Sequence, residues 1–200
     1  MMSSILRGGL SMLLVALLAA TSIVTDAAET KAKKRMAPPK VGERAEGFKL
    51  KGVDGKPVDL EKLAKRGPVV VAVLRGYPGY QCPACTRQVA QYQDHAEEFA
   101  ERKASVVLVY PGPAKDLGKR AEEFLKGTEL PKPLVLALDP DYKFTNAYGL
   151  RWDALNETAF PSTFVMDADR DVVFARVSKE HGKRVDVKDV LKALDEIKAE

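Results

Sequence analysis

Three apolar runs rich in β-branched residues constrain the fold of this chain more than any other feature. They are PVVVAVLRG at residues 68–76, ASVVLVYPG at residues 104–112 and PLVLALDPD at residues 133–141. A run without polar alternation is typical of a strand that is buried on both faces of a sheet. Each run is followed by a segment with helical periodicity, and strands that alternate with helices imply parallel crossovers. The sequence therefore predicts an α/β fold with helices on both faces of a central sheet.

Shorter strands are predicted on either side of this unit. Residues 47–60, GFKLKGVDGKPVDL, show two short alternating runs around the dipeptide Asp54–Gly55, which is typical of a hairpin turn. Residues 162–178, STFVMDADRDVVFARVS, predict two strands around a polar turn, and residues 186–200 predict a closing amphipathic helix. We therefore expect a mixed central sheet with an N-terminal hairpin extension.

The N-terminus has the layout of a secretory signal. Arg7 precedes an uncharged, Leu- and Ala-rich run at residues 8–25, and Asp26 follows with small residues behind it. An uncleaved membrane anchor is the alternative, because such a run is just long enough to span a bilayer. The basic cluster at residues 31–35 would then lie on the translocated side, against the positive-inside bias. We therefore expect an exported protein, periplasmic or secreted, that contacts a membrane only if this segment is retained.

The rest of the chain divides into a linker and one domain. The signal is assigned to residues 1–28, a basic and proline-rich linker to residues 29–40, and a single domain to residues 41–200. The chain carries 32 Lys and Arg against 28 Asp and Glu, and its net charge of +4 comes from interspersed charges of both signs. A nucleic-acid partner is not expected, because it would require a clustered basic face.

The chain contains two cysteines, Cys82 and Cys85, spaced as C-x-x-C. The segment that begins near Pro83 has an apolar stripe of helical spacing, formed by Val89, Tyr92, Ala96 and Phe99. One turn earlier this stripe reaches Cys85, so Cys85 is predicted to face inward and Cys82 to lie at the helix start. The unpaired N–H groups and the dipole of a helix N-terminus stabilise a thiolate and lower its pKa.

Three interpretations of the cysteine pair compete. A structural disulfide would close a minimal loop and therefore stabilise little. A zinc site would need two further ligands, and the chain offers only His95 and His181, neither at a suitable spacing. A redox-active dithiol fits the helix start. We therefore predict that Cys82 and Cys85 cycle between dithiol and disulfide without a metal or cofactor.

Several stretches carry a resemblance to a known group. They are GERAEGFKLKGVDGKPVDL, the strand before the cysteines, LALDPDYKFTNAYGL and FPSTFVMDADRDVVFARVSK. The more specific motifs are C-x-x-C at residues 82–85 and P-S-T-F at residues 161–164. Together they resemble the redoxin group, which includes the peroxiredoxin-like proteins of the alkyl hydroperoxide reductase and thiol-specific antioxidant family. The resemblance covers residues 41–200 and implies a thioredoxin-like fold.

The resemblance also implies a role for the second motif. In the thioredoxin fold a proline just before a strand is cis and faces the C-x-x-C, and Pro161 matches that proline. The implied cis bond between Phe160 and Pro161 would help the backbone around Phe160 dock a substrate beside the sulfurs. The motif places Thr163 in the same substrate-binding region. A trans proline that starts an edge strand is the alternative.

The two related families assign the attacking sulfur differently. The peroxiredoxin motif is Pro, three residues, Thr or Ser, two residues and then the peroxide-attacking Cys. Pro78 and Cys85 match it, with Cys82 at the hydroxyl position. In the thioredoxin alignment Cys82 attacks and Cys85 resolves. Physical reasoning favours Cys82 as the nucleophile toward protein disulfides, because it precedes the helix and should be the more exposed thiol, while burial raises the pKa of Cys85.

Two departures from the peroxiredoxin pattern concern the groups around the sulfurs. The hydroxyl is absent at Cys82, and the arginine expected before the P-S-T-F strand is replaced by Pro161. Arg75, at the end of the preceding strand, is the candidate substitute as a thiolate-stabilising cation, with a solvated arginine as the alternative. Tyr80 is expected to contribute to a rim for a substrate, and Trp152 to cover the same cleft.

The cysteine pair and the resemblance lead to three functional hypotheses. The first is an exported thiol–disulfide oxidoreductase: Cys82 attacks a protein disulfide, Cys85 displaces the mixed disulfide, and an external thiol donor reduces the pair again. The alternative is a thiol-dependent peroxidase, in which the same cysteines reduce a hydroperoxide through a sulfenic acid. The third is a non-catalytic, redox-responsive binding domain.

Overall fold

The three apolar runs form the middle of a seven-stranded sheet. The structure is a computed structural model that describes residues 37–197. Its elements in chain order are β1 (Lys49–Gly52), β2 (Pro57–Asp59), α1 (Leu60–Ala64), β3 (Val69–Val73), α2 (Pro83–Asp94), α3 (Ala96–Glu101), β4 (Ser105–Gly112), α4 (Leu117–Leu125), β5 (Leu134–Pro140), α5 (Lys143–Ala147), β6 (Ser162–Met166), β7 (Val172–Val177) and α6 (Val187–Asp195). The strand order across the sheet is β2-β1-β5-β4-β3-β6-β7.

The sheet is mixed, as predicted. Strands β3, β4 and β5 are parallel, whereas β6 pairs antiparallel with both β3 and β7. Every residue of β3 is buried, and its side chains alternate between two hydrophobic cores. Val70 and Ala72 face the core that contains α2, α4 and α6, and Val69 and Val71 face the core that contains α1 and α5. The prediction of helices on both faces is therefore confirmed.

The segments that matter for function lie at one edge of the sheet, namely the border formed by the ends of its strands and not by an outermost strand. Val73 at the end of β3 pairs with Ser162 at the start of β6, and Ser162 pairs with Val177 at the end of β7. The chain therefore leaves β3, enters β6 and leaves β7 at the same edge. The loop before α2 and the segment before α6 both begin there.

The β1–β2 pair belongs to this same sheet. The two strands are antiparallel, and the carboxylate of Asp54 accepts the N–H of Lys56 in the turn between them. Strand β1 also pairs with β5, from Lys51 to Gly52. The β1–β2 pair therefore belongs to the central sheet and forms its outermost strands on one side.

The long periodic segment after the cysteines forms two helices. Helix α2 ends at Asp94, and His95 has non-helical backbone angles of φ −110° and ψ 20°. The ring Nδ1 of His95 lies 2.8 Å from the carbonyl oxygen of Gln91, which is the oxygen that a continuous helix would offer to the His95 N–H. The predicted inward stripe nevertheless continues through the break, and Cys85, Val89, Tyr92, Ala96 and Phe99 are all buried.

The predicted leader at residues 1–28 lies outside the described residues, as does most of the predicted linker. Within residues 37–197, no helix is both long enough and apolar enough to cross a membrane.

Candidate active site

Cys82 caps helix α2, as the sequence predicts. It has extended backbone angles, Pro83 occupies the first helical position, and the Sγ of Cys82 accepts the backbone N–H of Cys85 at 3.3 Å. Proline costs nothing at this position, because its missing N–H would have had no helical partner. The loop that leads from β3 to the helix thus delivers both sulfurs to the edge of the sheet.

Both sulfurs are covered. Cys82 is 3% exposed and Cys85 1%, so both thiols are buried and the predicted difference in exposure between them is very small. The cause is the segment between β7 and α6, residues 178–186, which we call the β7–α6 segment. Its Arg184 places Nη2 3.3 Å from the Sγ of Cys85 and 3.6 Å from the Sγ of Cys82.

The two thiols differ strongly in acidity. A hydrogen bond from the Cys85 thiol, the Cys85 N–H and the charge of Arg184 outweigh burial and lower the pKa of Cys82 to about 5. Burial and the neighbouring charge on Cys82 raise the pKa of Cys85, although the backbone N–H of Arg75 donates to its sulfur at 3.3 Å. At neutral pH the pair therefore carries one negative charge, held on Cys82. A thiolate is the reactive form of cysteine.

The side chain of Arg75 does not reach the sulfurs. It is buried and binds the carboxylate of Glu157, with Nε 3.0 Å from Oε2 and Nη2 3.2 Å from Oε1. Its remaining donors contact the carbonyl of Asn156 and the hydroxyl of Tyr80. The cation beside the thiolate is therefore Arg184, and Arg75 contributes its backbone N–H.

The predicted cis bond before Pro161 is wrong. Within residues 37–197 the cis peptide bond is that between Lys132 and Pro133, so the Phe160–Pro161 bond is trans. Pro161 is buried directly before β6, and its carbonyl accepts the N–H of Ser178 at 2.8 Å. It acts as a trans proline that starts a strand, where its missing N–H costs no ladder hydrogen bond.

The other predicted residues have contacts with the two arginines of the site or lie in the loop before α2. Pro161 and Thr163 line one narrow cleft together with Arg184. Tyr80 is 49% exposed, with its ring 4.9 Å from the guanidinium carbon of Arg75. Pro78 is half-buried in the loop between β3 and α2.

Phe160 belongs to an aromatic stack beside the site. Its ring lies 4.7 Å from that of Trp152, whose other face stacks on His181 at 4.8 Å. The Nε2 of His181 is 2.8 Å from the Oε1 of Glu157, the same carboxylate that binds Arg75. Glu157 thus connects the end of β3 to the β7–α6 segment.

The sequence did not identify Arg184, Glu157 or His181 as site residues. Arg184 is 102 residues from Cys82, in a polar SKEHGKR stretch without a motif. The one available signal was the register of β6 and β7, since it brings the segment after β7 to the edge where the cysteines lie.

A dithiol that caps a helix at the edge of a thioredoxin-like sheet, with one thiol held as a thiolate, defines a thiol oxidoreductase. The model of the AhpC/TSA family matches residues 41–175, and the chain belongs to that family.

Individual relatives agree with this assignment. The chain is 29% identical to peroxiredoxin Bcp of Bacillus subtilis over 165 residues, which cover 79% of this chain and 94% of that protein. It is 32% identical to the chloroplastic peroxiredoxin Q of Oryza sativa subsp. japonica over 126 residues, 63% of this chain and 54% of that protein. The crystal structure of peroxidoxin BcpB from Mycobacterium tuberculosis superposes with a TM-score of 0.64 at 27% identity, covering 80% of this chain and 99% of that one.

Proposed function

We propose that the protein reduces hydroperoxides with the Cys82–Cys85 pair and is regenerated by an external thiol. The observation that carries the proposal is a thiolate buried under the β7–α6 segment, with Cys82 3% exposed. An extended stretch of a protein substrate cannot reach sulfurs that are covered in this way unless the β7–α6 segment moves. A peroxide group is only two oxygen atoms long, so it requires a much smaller opening. The similarity to peroxiredoxins supports the same substrate class.

The proposed reaction begins at Cys82, since Cys82 holds the negative charge. Its thiolate attacks the terminal oxygen of the hydroperoxide, the O–O bond breaks, and the departing oxygen takes up a proton and leaves as an alcohol or water. Cys82 is then a sulfenic acid. The sulfur of Cys85 attacks that of Cys82, which forms the disulfide and releases water. Two equivalents of donor thiol reduce the disulfide and end as one disulfide of the donor.

The position of Cys85 favours closure of the disulfide within the chain. It lies one helical turn from Cys82, its backbone N–H donates to the Cys82 sulfur at 3.3 Å, and Nη2 of Arg184 contacts both sulfurs. No large rearrangement is needed to bring the two sulfurs together. Each hydroperoxide consumed should therefore yield one Cys82–Cys85 disulfide.

Reduction of protein disulfides is the second candidate, because C-x-x-C at a helix N-terminus also suits disulfide exchange. Both activities should be measured on the same preparation, with hydrogen peroxide and insulin as substrates and dithiothreitol as donor. We expect peroxide consumption about 100-fold or more faster than that of free cysteine, with little reduction of insulin. Rapid insulin reduction without peroxide consumption would reverse the assignment.

We further propose that the protein acts outside the cytoplasm. The support is the sequence pattern of residues 1–28, a basic start followed by an apolar run and small residues. A fusion of these residues to a reporter that is active only after export tests it. A reporter that stays inactive, although the fusion accumulates, would contradict the proposal.

A further inference from the structure

We propose that Arg184 is a catalytic residue of this reaction, and that Glu157 holds it in place through His181. The inference rests on the proposed function for the step it assists. The first observation that supports it is a direct contact. Nη2 of Arg184 hydrogen-bonds the Sγ of Cys85 at 3.3 Å and the Sγ of Cys82 at 3.6 Å. Within residues 37–197, no other cationic side chain hydrogen-bonds either sulfur.

The hydrogen bonds that the Arg184 guanidinium makes within the described part of the chain go to the two sulfurs. An arginine side chain has five N–H donors. In Arg184 the Nε and Nη1 atoms are buried and have no hydrogen-bond partner among residues 37–197. Nη2 therefore makes the hydrogen bonds of this side chain, and it makes them to sulfur. Burying a guanidinium is unfavourable unless a charge compensates it. The compensating charge in this site is the thiolate.

The same guanidinium can stabilise the negative charge as that charge moves during the reaction. Attack on a hydroperoxide transfers negative charge from the Cys82 sulfur to the departing oxygen. That oxygen leaves from a point next to the sulfur, beside an arginine that still has unused N–H donors at Nε and Nη1. Donors fixed where charge develops stabilise a transition state without reorganisation. Arg184 is therefore placed to lower the pKa of the thiol and to stabilise the leaving group.

The β7–α6 segment is fastened by a second contact, three residues before Arg184. Nε2 of His181 lies 2.8 Å from Oε1 of Glu157, and the imidazole stacks on Trp152 at 4.8 Å. The Glu157 side chain is only 11% exposed and is itself held by Arg75, whose side chain is 5% exposed. The segment is thus anchored to the end of β3. Glu157 and His181 touch neither sulfur, so they are positioning residues.

Replacement of Arg184 tests the catalytic role, with Lys183→Gln as a matched control. Lys183 is the preceding residue and its Nζ pairs with Glu180 at the surface, so the control removes an equal charge from the same segment. In Arg184→Gln we expect the apparent pKa of the dithiol to rise by about 1 unit or more, and peroxide reduction to slow by about 100-fold. Arg184→Lys should recover part of both losses. The pKa is measured from thiolate absorbance at 240 nm against pH. An unchanged pKa and rate in Arg184→Gln would overturn the assignment.

The positioning role is tested by a double-mutant cycle. His181→Phe keeps a ring against Trp152 but removes the contact with Glu157, whereas His181→Gln can still donate to that carboxylate. We expect His181→Phe to reproduce part of the pKa rise of Arg184→Gln, and His181→Gln to reproduce less of it. In the combined variant of His181→Phe and Arg184→Gln, the pKa should match that of Arg184→Gln alone, because one effect acts through the other. Additive effects would show that His181 does not act through Arg184.

These readouts separate the inference from the proposed function. The thiolate pKa and the rate of alkylation by iodoacetamide involve no peroxide. A wild-type protein that fails to consume peroxide, combined with a raised pKa in Arg184→Gln, would end the proposed function and keep the role of Arg184 toward the thiolate. Peroxide reduction that proceeds equally well in wild type and Arg184→Gln would keep the proposed function and end the catalytic role of Arg184.

Discussion

The acidity of Cys82 arises from the groups that surround its sulfur, and not from exposure to solvent. Burial alone would raise the pKa of a thiol. Three donors reverse this effect: the Cys85 thiol, the Cys85 N–H and the guanidinium of Arg184. The sequence could predict the first two, because they follow from C-x-x-C at a helix start. It could not predict the third, since Arg184 reaches the site only through the tertiary fold.

This acidity leads to a prediction about pH. The thiolate of Cys82 is present above its pKa of about 5 and is lost as the pH falls through that value. The rate of alkylation of the reduced protein by iodoacetamide should therefore be almost constant from pH 6.5 to 8 and should fall below about pH 6. A thiol with the ordinary value of 9.0 would instead react about tenfold faster with each pH unit over the same range. A tenfold rise in the alkylation rate with each pH unit would contradict the assignment of the negative charge to Cys82.

At the scale of the element, the connection from β3 to α2 decides where the sulfurs lie. The strand and the helix were both predicted from local patterns, and both are present. The sharp turn between them depends on Gly76, which has φ 67° and lies against the next strand. A Cβ atom there would be 1.8 Å from the carbonyl oxygen of Pro111, a backbone atom that cannot move aside.

Substitution at this turn should be costly for a steric reason. Gly127 is a matched control, because it has a similar φ of 75° and no atom of the described residues lies within 4 Å of the place where its Cβ would be. We expect Gly76→Ala to lower the free energy of unfolding by about 3 kcal/mol or more, and Gly127→Ala by about 1 kcal/mol. Urea denaturation of both variants measures the difference. Equal losses would show that the contact with Pro111 does not constrain the turn.

Two features of the elements could not be predicted from local patterns. The break between α2 and α3 coincides with a contact of the His95 ring with the carbonyl of Gln91, which helical periodicity does not report. The isomer of the Phe160–Pro161 bond was inferred from a motif shared with the thioredoxin fold. In the structure this bond is trans, and Pro161 lies directly before β6.

At the scale of the whole molecule, the sheet collects the site from distant parts of the chain. The mixed sheet with helices on both faces, in which β3 lies between β4 and β6, was predicted as an architecture, without its strand order, from the alternation of apolar runs and helices and from the resemblance. The closure of the site was not, because it requires the β7–α6 segment to fold back over the cysteines. Charge on the sulfurs and the anchoring of that segment are therefore coupled, and stability should depend on the redox state.

The reduced protein should gain stability with rising pH, and the oxidised protein should lack this gain. The folded-state pKa of Cys82, about 5, lies below the ordinary value of 9.0, so between these values the unfolded chain binds one proton more than the folded one. The free energy of unfolding of the reduced form should therefore rise by about 1 kcal/mol for each pH unit in this window, relative to the disulfide form. Urea denaturation of both forms at pH 5.5, 6.5 and 7.5 measures it. Parallel pH profiles would show that the thiolate is not stabilised by the fold.

The identity of the sulfur that meets the peroxide is the most direct test of the whole mechanism. Reduced Cys82→Ser and Cys85→Ser should each be mixed with one equivalent of hydrogen peroxide in the presence of dimedone, and the adduct located by peptide mass spectrometry. We expect a sulfenic acid adduct on Cys82 in Cys85→Ser, since a serine hydroxyl can still donate to the thiolate, and none in Cys82→Ser. An adduct on Cys85 in Cys82→Ser, with Cys82 unmodified in Cys85→Ser, would contradict the proposed chemistry.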